Sequence, residues 1–222
     1  MLPRKPEHPF FANWLASHPD RMVTRDAALN SVLDGKFPIM NSFTFPDGIK
    51  YWIGEQRAAG IHHKRSQMSR EQREEFCASA LQTLYNKRIG GIVCCLSETR
   101  HAFDYDGTGI KYMYVPIGDN PNGRATAPDG TATGARYEDI FRDMLPHVWQ
   151  FVDELNKEGK CVLFHCNAGA SRSVAVALAL HVVGGETLAN AFDYIQRTRP
   201  HALPSFGCWL TKFEQDMNSQ DG

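Results

Sequence analysis

One segment of this sequence combines residue types whose spacing suits chemistry on an anion: a cysteine, Cys166, is followed six positions later by an arginine, Arg172. An apolar run at residues 161–165 precedes the pair, and a second run at residues 174–183 follows it. These runs predict a buried strand and a buried helix joined by a tight turn. Such a turn directs consecutive backbone N–H groups and the positive end of a helix dipole toward one point. The segment is therefore predicted to form an anion-binding loop.

The two reactive side chains fit chemistry on a phosphate group. A helix N-terminus and a nearby guanidinium lower the pKa of a cysteine from about 8.5 to roughly 3.5–7.5, which favours a thiolate at Cys166. Arg172 supplies a planar, permanently charged group that can pair with two phosphate oxygens. We therefore predict that Cys166 attacks phosphorus and forms a covalent thiophosphate, which splits one difficult hydrolysis into two easier steps. Ser173 is predicted to donate a hydrogen bond to the sulfur and to ease its departure in the second step.

The residues between the cysteine and the arginine are predicted to bind the phosphate oxygens. Gly169 and its small neighbours allow the loop backbone to approach these oxygens without obstruction by Cβ atoms. The predicted phosphate-binding set is Asn167, Ala168, Gly169, Ala170, Ser171 and Arg172. His165 is predicted to order the loop by hydrogen bonding, since a thiol that is already ionised needs no imidazole base.

The loop contains the pattern His-Cys-(five residues)-Arg-Ser, from His165 to Ser173, which resembles the signature of the protein tyrosine phosphatase superfamily. Its Ala168-Gly169 pair and its Ser-Arg-Ser ending are similar to the dual-specificity branch of that superfamily. The resemblance covers about residues 43–217. It includes three flanking segments, at residues 51–59, 114–120 and 199–214.

This resemblance implies an α/β fold with a central, mostly parallel β-sheet flanked by helices. It also implies an enzyme that hydrolyses phosphotyrosine, phosphoserine and phosphothreonine in proteins without a metal or other cofactor. A general acid is implied on a loop upstream of the cysteine, where it protonates the leaving oxygen. Asp119 fits that position, and Asp129, farther along the same loop, is the alternative.

The hydrophobic periodicity of the remaining chain agrees with such a fold, because predicted strands alternate with predicted helices. Strands are predicted at residues 50–54, 89–96, 112–117 and 161–165. Helices are predicted at residues 70–86, about 140–155 with a kink at Pro146, 174–183, and in amphipathic segments that start near residues 188 and 206. Residues 120–134 are rich in Gly, Pro and Thr, which predicts an irregular loop.

The chain of 222 residues is predicted to contain one dual-specificity phosphatase catalytic domain at residues 49–218, with residues 1–48 as an N-terminal extension packed on its core. A formal net charge of -1 gives no reason to expect a nucleic-acid partner. The first residues contain no long apolar segment, so no membrane insertion is expected and the cytoplasm or nucleus is predicted. Nothing in the sequence indicates the oligomeric state.

The six cysteines show neither the spacing of a disulfide framework nor that of a metal site, which favours reduced thiols. Two interpretations of Cys94 and Cys95 remain open. They are either core residues, or one of them forms a reversible disulfide with Cys166. The pair His62-His63 has no partners at ligand spacing and is not predicted to bind a metal.

Two alternatives to a phosphoprotein phosphatase remain open. The first is a phosphatase of a non-protein substrate: a phosphoinositide, a phosphoglycan or an RNA 5'-triphosphate. The loop contains no lysine between Cys166 and Arg172, whereas the inositol-lipid phosphatases of the superfamily have basic residues there, so a phosphorylated protein is favoured. The second is a non-catalytic phosphoprotein-binding scaffold. Retention of the cysteine, the arginine and an upstream aspartate argues against it.

Overall fold

The structure, a computed structural model, describes residues 39–62, 65–96, 105–118, 124–126, 132–204 and 206–220. Most of the predicted N-terminal extension, residues 1–38, lies outside this part of the chain. Asp119, Asp129 and His63 also lie outside it. The predicted packing of the extension on the core therefore stays a prediction.

A five-stranded sheet occupies the centre of the fold. The strands of the described residues are β1 (Met40–Thr44), β2 (Lys50–Glu55), β3 (Ile89–Cys94), β4 (Lys111–Tyr114), β5 (Arg124–Thr126), β6 (Ala132–Arg136) and β7 (Cys161–Cys166). The sheet has the order β1-β2-β7-β3-β4. Its neighbouring strands are parallel except for β1, which is antiparallel to β2. The prediction of a central, mostly parallel sheet is confirmed.

Five α-helices lie in the described part of the chain, and all five were predicted. They are α1 (Arg70–Asn86), α2 (Tyr137–Lys157), α3 (Arg172–Val183), α4 (Leu188–Thr198) and α5 (Gly207–Gln220). Helix α1 begins where the sequence predicts, because Ser69 and Gln72 form a reciprocal capping box that satisfies two N–H groups of the first turn. Helix α2 continues through Pro146.

The two faces of the sheet contact different helices, as the alternation of side chains along a strand requires. In β7, Leu163 belongs to a core cluster shared with Leu84 of α1. Its neighbours Val162 and Phe164 belong to a larger core cluster that includes the buried faces of α2 to α5. Helix α3 is buried on nearly all sides, and it follows β7 after a loop of five residues. The central strand and this buried helix hold the ends of that loop in place.

Strand β1 is a feature that the sequence did not predict. It lies within the residues assigned to the N-terminal extension, yet it pairs with β2 along its whole length, from Met40 opposite Gly54 to Thr44 opposite Lys50. Aromatic packing explains its position, because the ring of Phe45 stacks on Tyr51 of β2 with centroids 4.0 Å apart. Residues 40–44 are therefore the edge strand of the central sheet.

The prediction of an irregular loop at residues 120–134 is wrong for part of that segment. Strands β5 and β6 form a two-stranded antiparallel ladder, with Arg124 opposite Arg136 and Thr126 opposite Ala132. Residues 127–131, between the two strands, lie outside the described part of the chain.

Candidate active site

The predicted reactive residues meet where β7 ends and α3 begins. Cys166 is the last residue of β7, and Arg172 and Ser173 are the first two residues of α3. All three side chains are buried. The Sγ atom of Cys166 lies 3.3 Å from the Oγ atom of Ser173, within hydrogen-bond distance for sulfur. The structure thus brings together the nucleophile, the arginine and the serine that the sequence predicted.

Several groups act on the ionisation of the Cys166 thiol. Burial alone raises its pKa, but the charge of Arg172, the hydroxyl of Ser173 and the backbone N–H groups of Ser173 and Ser171 together lower the pKa below its ordinary value. Opposite charge and hydrogen bonds to the charged form are the interactions that favour an anion. The site therefore favours a thiolate, the form that acts as a nucleophile.

The loop is attached at both ends to backbone groups that lie behind it. The carbonyl of Asn167 accepts a hydrogen bond of 3.2 Å from the N–H of Gln56, which follows β2. The carbonyl of Ala170 accepts one of 2.7 Å from the N–H of Leu203, in the segment before α5. Each carbonyl that points away from the site leaves the N–H of the same trans peptide pointing toward it. The loop is therefore built to present donors to an anion.

Gly169 is the loop residue for which the structure demands glycine. Its φ is +63°, in the left-handed region. A Cβ atom added to it would lie 2.6 Å from the carbonyl oxygen of Gly54, closer than van der Waals contact, and would also overlap with Nη2 of Arg199. The requirement comes from the groups behind the loop as well as from the backbone conformation.

Arg172 connects the loop to the segment that follows β4. Its Nη1 atom donates to the carbonyl of Ile117 at 3.4 Å. The described chain continues from there to Gly118, whose close packing against the ring of Tyr137 leaves no room for a Cβ atom. Asp119 is the next residue and lies outside the described part, so its role as general acid stays a prediction.

His165 is fully buried beneath the loop. Its backbone carbonyl accepts a hydrogen bond of 2.8 Å from the N–H of Cys95. Burial, with the charge of Arg172, lowers the pKa of the imidazole to about 4, so the ring is neutral at physiological pH. The ring also interacts with the backbone of Cys166, which opposes this lowering, and the predicted ordering of the loop by the imidazole stays a prediction.

Cys94 and Cys95 lie near Cys166 and are completely buried. Burial raises the pKa of Cys95 well above its ordinary value, and the nearby charge of Cys166 raises it further. Cys95 is therefore a protonated thiol that is close enough to Cys166 to respond to its charge. Both Cys94 and Cys95 are free, and the reversible disulfide stays a prediction.

The sequence did not predict that the loop is contacted by Gln56, Arg199 and Leu203, although all three lie in the flanking segments that carry the family resemblance. Gln56 and Leu203 contact the loop through their backbone N–H groups, and the side-chain pattern does not indicate such contacts. Arg199 follows the apolar stripe of α4, where an arginine usually indicates a surface position. Its complete burial is the feature that the sequence did not reveal.

No group of acidic, histidine or cysteine side chains in the described part of the chain could hold a metal ion. None of the helices in these residues has the length and apolar character needed to cross a membrane.

Comparison with known proteins agrees with this geometry. The family profile "Dual specificity phosphatase, catalytic domain" matches residues 73–216. Dual specificity phosphatase 28 of Mus musculus is 29% identical over 133 residues, which cover 59% of this chain and 72% of that protein. The Drosophila melanogaster dual specificity protein phosphatase Mpk3 is 31% identical over 116 residues, which cover 51% of this chain and 24% of that protein. The match thus spans only a quarter of that relative's length.

Solved structures show the same fold. The crystal structure of human DUSP28 superposes with a TM-score of 0.56 at 20% identity and covers 82% of this chain and 96% of its own. A mouse putative dual specificity phosphatase, solved in complex with zinc tungstate, has a TM-score of 0.56 at 21% identity and covers 83% of this chain and 91% of its own. The profile match covers more than half of the chain. The chain therefore belongs to the dual-specificity phosphatase family, a branch of the cysteine-based protein tyrosine phosphatase superfamily.

Proposed function

We propose that this protein is a phosphoprotein phosphatase that hydrolyses phosphotyrosine and phosphoserine or phosphothreonine through a thiophosphate intermediate on Cys166. The observation that carries the proposal is the Cys166 thiol, whose pKa is lowered by Arg172 and by hydrogen bonds at the start of α3. A phosphoprotein-binding scaffold has no need of a thiolate. An environment that favours the thiolate therefore supports turnover over binding alone.

In the first step the Cys166 thiolate attacks phosphorus, so that the S–P bond forms while the bond to the leaving oxygen breaks. Asp119 gives its proton to that oxygen. Arg172 and the loop N–H groups bind the other phosphoryl oxygens, where negative charge accumulates. In the second step Asp119 takes a proton from water, the water oxygen attacks phosphorus, and the S–P bond breaks. The Ser173 hydroxyl, 3.3 Å from Sγ, stabilises the departing thiolate.

The composition of the loop supports a phosphoprotein as the substrate. Residues 167–171, between the nucleophile and Arg172, carry no charged side chain. A phosphoinositide or an RNA 5'-triphosphate carries additional phosphates, which would lack a basic partner within the loop. A single phosphomonoester on a protein needs only Arg172 and the backbone donors.

The test is phosphate release from p-nitrophenyl phosphate, followed by a panel of phosphotyrosyl peptide, phosphothreonyl peptide, inositol phospholipid and triphosphorylated RNA. We expect turnover of both peptides and complete loss of turnover in Cys166→Ser. Cys161→Ser is the matched control, because Cys161 lies at the opposite end of the same strand, and it should keep wild-type activity. Turnover of the lipid or the RNA alone would contradict the proposed substrate class. Absence of all turnover in the folded protein would favour a scaffold.

We also propose that the protein acts in the cytoplasm or nucleus. The proposal is supported by the free thiols of Cys94, Cys95 and Cys166, which a reducing compartment preserves. Fluorescence microscopy of the tagged full chain tests it, and accumulation in the secretory pathway would contradict it.

A further inference from the structure

Arg199, the residue after α4, has its guanidinium completely buried behind the loop. Its Nε atom donates to the carbonyl of Gly169 at 2.6 Å, and its Nη2 atom donates to the carbonyl of Ala168 at 3.1 Å. Its Nη1 atom donates to Oδ1 of Asn41, on β1, at 2.7 Å. One side chain thus holds two consecutive loop carbonyls while the edge strand holds that side chain.

Together with the two backbone contacts described above, Arg199 completes a continuous set. The carbonyls of four consecutive residues, 167 to 170, all accept hydrogen bonds from groups behind the loop. The described backbone contains no cis peptide, so the N–H of each following residue points the opposite way, toward the phosphate site. The last of these four N–H groups belongs to Ser171, and it forms a hydrogen bond with the Cys166 sulfur. This bond agrees with an N–H that points toward the phosphate site.

An arginine suits this position better than any other donor. Two adjacent carbonyls need two donors from one direction, and the planar fork of a guanidinium supplies them in fixed geometry. The carbonyl dipoles would otherwise be free to rotate their negative ends toward the thiolate and the incoming phosphate. The buried carboxylate of Glu55 lies near enough to interact with the charge of Arg199, which offsets part of the cost of its burial.

We propose that Arg199 is a positioning residue, which holds the carbonyls of Ala168 and Gly169 behind the loop so that the intervening N–H groups face the phosphate. The affinity of the loop for an oxyanion and the ionisation of Cys166 then depend on the two hydrogen bonds that Arg199 donates to these carbonyls. The inference rests on the proposed function for its biological meaning, but its test does not require turnover.

The experiment compares the wild type with Arg199→Met, Arg199→Lys and a matched control, Arg197→Met. Arg197 lies two positions earlier and forms an ion pair with Asp193 at the surface. Tungstate binding is measured by isothermal titration calorimetry, and the thiol pKa is measured by the pH dependence of the rate at which iodoacetamide alkylates Cys166, followed by mass spectrometry. Thermal melting reports the folded fraction of each variant.

We expect Arg199→Met to bind tungstate about tenfold or more weakly and to raise the thiol pKa by about one unit, since two charge-assisted hydrogen bonds are lost. Arg199→Lys keeps the charge but cannot hold both carbonyls with the same geometry, so its losses should be intermediate. Arg197→Met should match the wild type. A purely structural role would lower the melting temperature without changing the affinity or the thiol pKa of the folded protein, and that result would overturn the proposal.

If Arg199→Met does not fold, Arg199→Lys decides, and wild-type values in that variant would overturn the proposal. If neither variant folds, Asn41→Ala decides, since it removes the contact that holds the guanidinium and should weaken tungstate binding in the same direction. A wild type that binds tungstate but releases no phosphate would refute the proposed function and leave the role of Arg199 standing. An active wild type with unaffected Arg199 variants would refute the positioning role alone.

Discussion

Replacing Ser173 with alanine removes a single oxygen atom from the environment of the nucleophile. That oxygen lies 3.3 Å from Sγ of Cys166, and the serine is fully buried, so water cannot take its place. The backbone N–H of residue 173, which also lowers the thiol pKa, remains in the variant, as does the charge of Arg172. The substitution therefore isolates the contribution of the hydroxyl.

The expected magnitude follows from the energy of one hydrogen bond to a charged group, about 1.5–3 kcal/mol. One pKa unit corresponds to about 1.4 kcal/mol, so the thiol pKa should rise by about one to two units. The pKa rises because the thiolate is the form that loses a hydrogen-bond donor. The acid limb of the pH profile of kcat/KM should shift to higher pH by the same amount. The second step, in which the thiolate departs, should slow about tenfold or more.

The pKa is measured by the pH dependence of iodoacetamide inactivation, and the second step by stopped-flow release of p-nitrophenol. Slow breakdown of the intermediate should give a burst of p-nitrophenol in Ser173→Ala. Tyr51→Phe is the control, because it removes another buried hydroxyl, bonded to His181 at 2.7 Å near the opposite end of α3. An unchanged thiol pKa and no burst in folded Ser173→Ala would refute the reasoning.

Three further predictions concern the same site. Gly169→Ala should lower the free energy of unfolding, measured in urea, by at least about 2 kcal/mol, because it combines a positive φ with overlap at Gly54. Gly185→Ala is the control, because Gly185 has a φ of +86° but open space around it, and it should lower the free energy of unfolding by only about 1 kcal/mol. Equal losses would contradict the overlap. Arg172→Lys should weaken tungstate binding at least about tenfold, because the two parallel donors of the guanidinium are lost, and it should raise the thiol pKa less than Arg172→Met does. Calorimetry measures the affinity and the rate of alkylation measures the thiol pKa. Unchanged affinity would contradict bidentate binding. Asp119→Asn should slow hydrolysis of an alkyl phosphate about a hundredfold but hydrolysis of p-nitrophenyl phosphate far less, since p-nitrophenolate needs little protonation. Equal effects on both substrates would show that Asp119 is not the general acid.

Local patterns accounted for most of the secondary structure. The bounds of α1 follow from one capping box and a helical period, and β7 and α3 follow from apolar runs that no turn residue interrupts. The chemistry of the loop also depends on local spacing, because Cys166 and Arg172 must be close when a short turn joins them. These features need only interactions between residues that are near each other in the chain.

The same local patterns could not predict β1 or the β5–β6 ladder. Strand β1 depends on pairing with β2 and on stacking between Phe45 and Tyr51, and the pattern of residues 40–44 alone is too short to indicate it. The ladder depends on pairing between Thr126 and Ala132, which lie in a segment whose composition predicts a loop. In both cases the partner strand, and not the propensity of the segment, determines the structure.

What the sequence alone determined is the position of Cys166, Arg172 and the helix that follows them. Only the tertiary structure decided how the loop is oriented, because its four carbonyls are bound by Gln56, Arg199 and Leu203, which come from distant parts of the chain. The physical reason is that a peptide plane can present either its N–H or its carbonyl to an anion. Which of the two faces the phosphate depends on the donors that the fold places behind the loop.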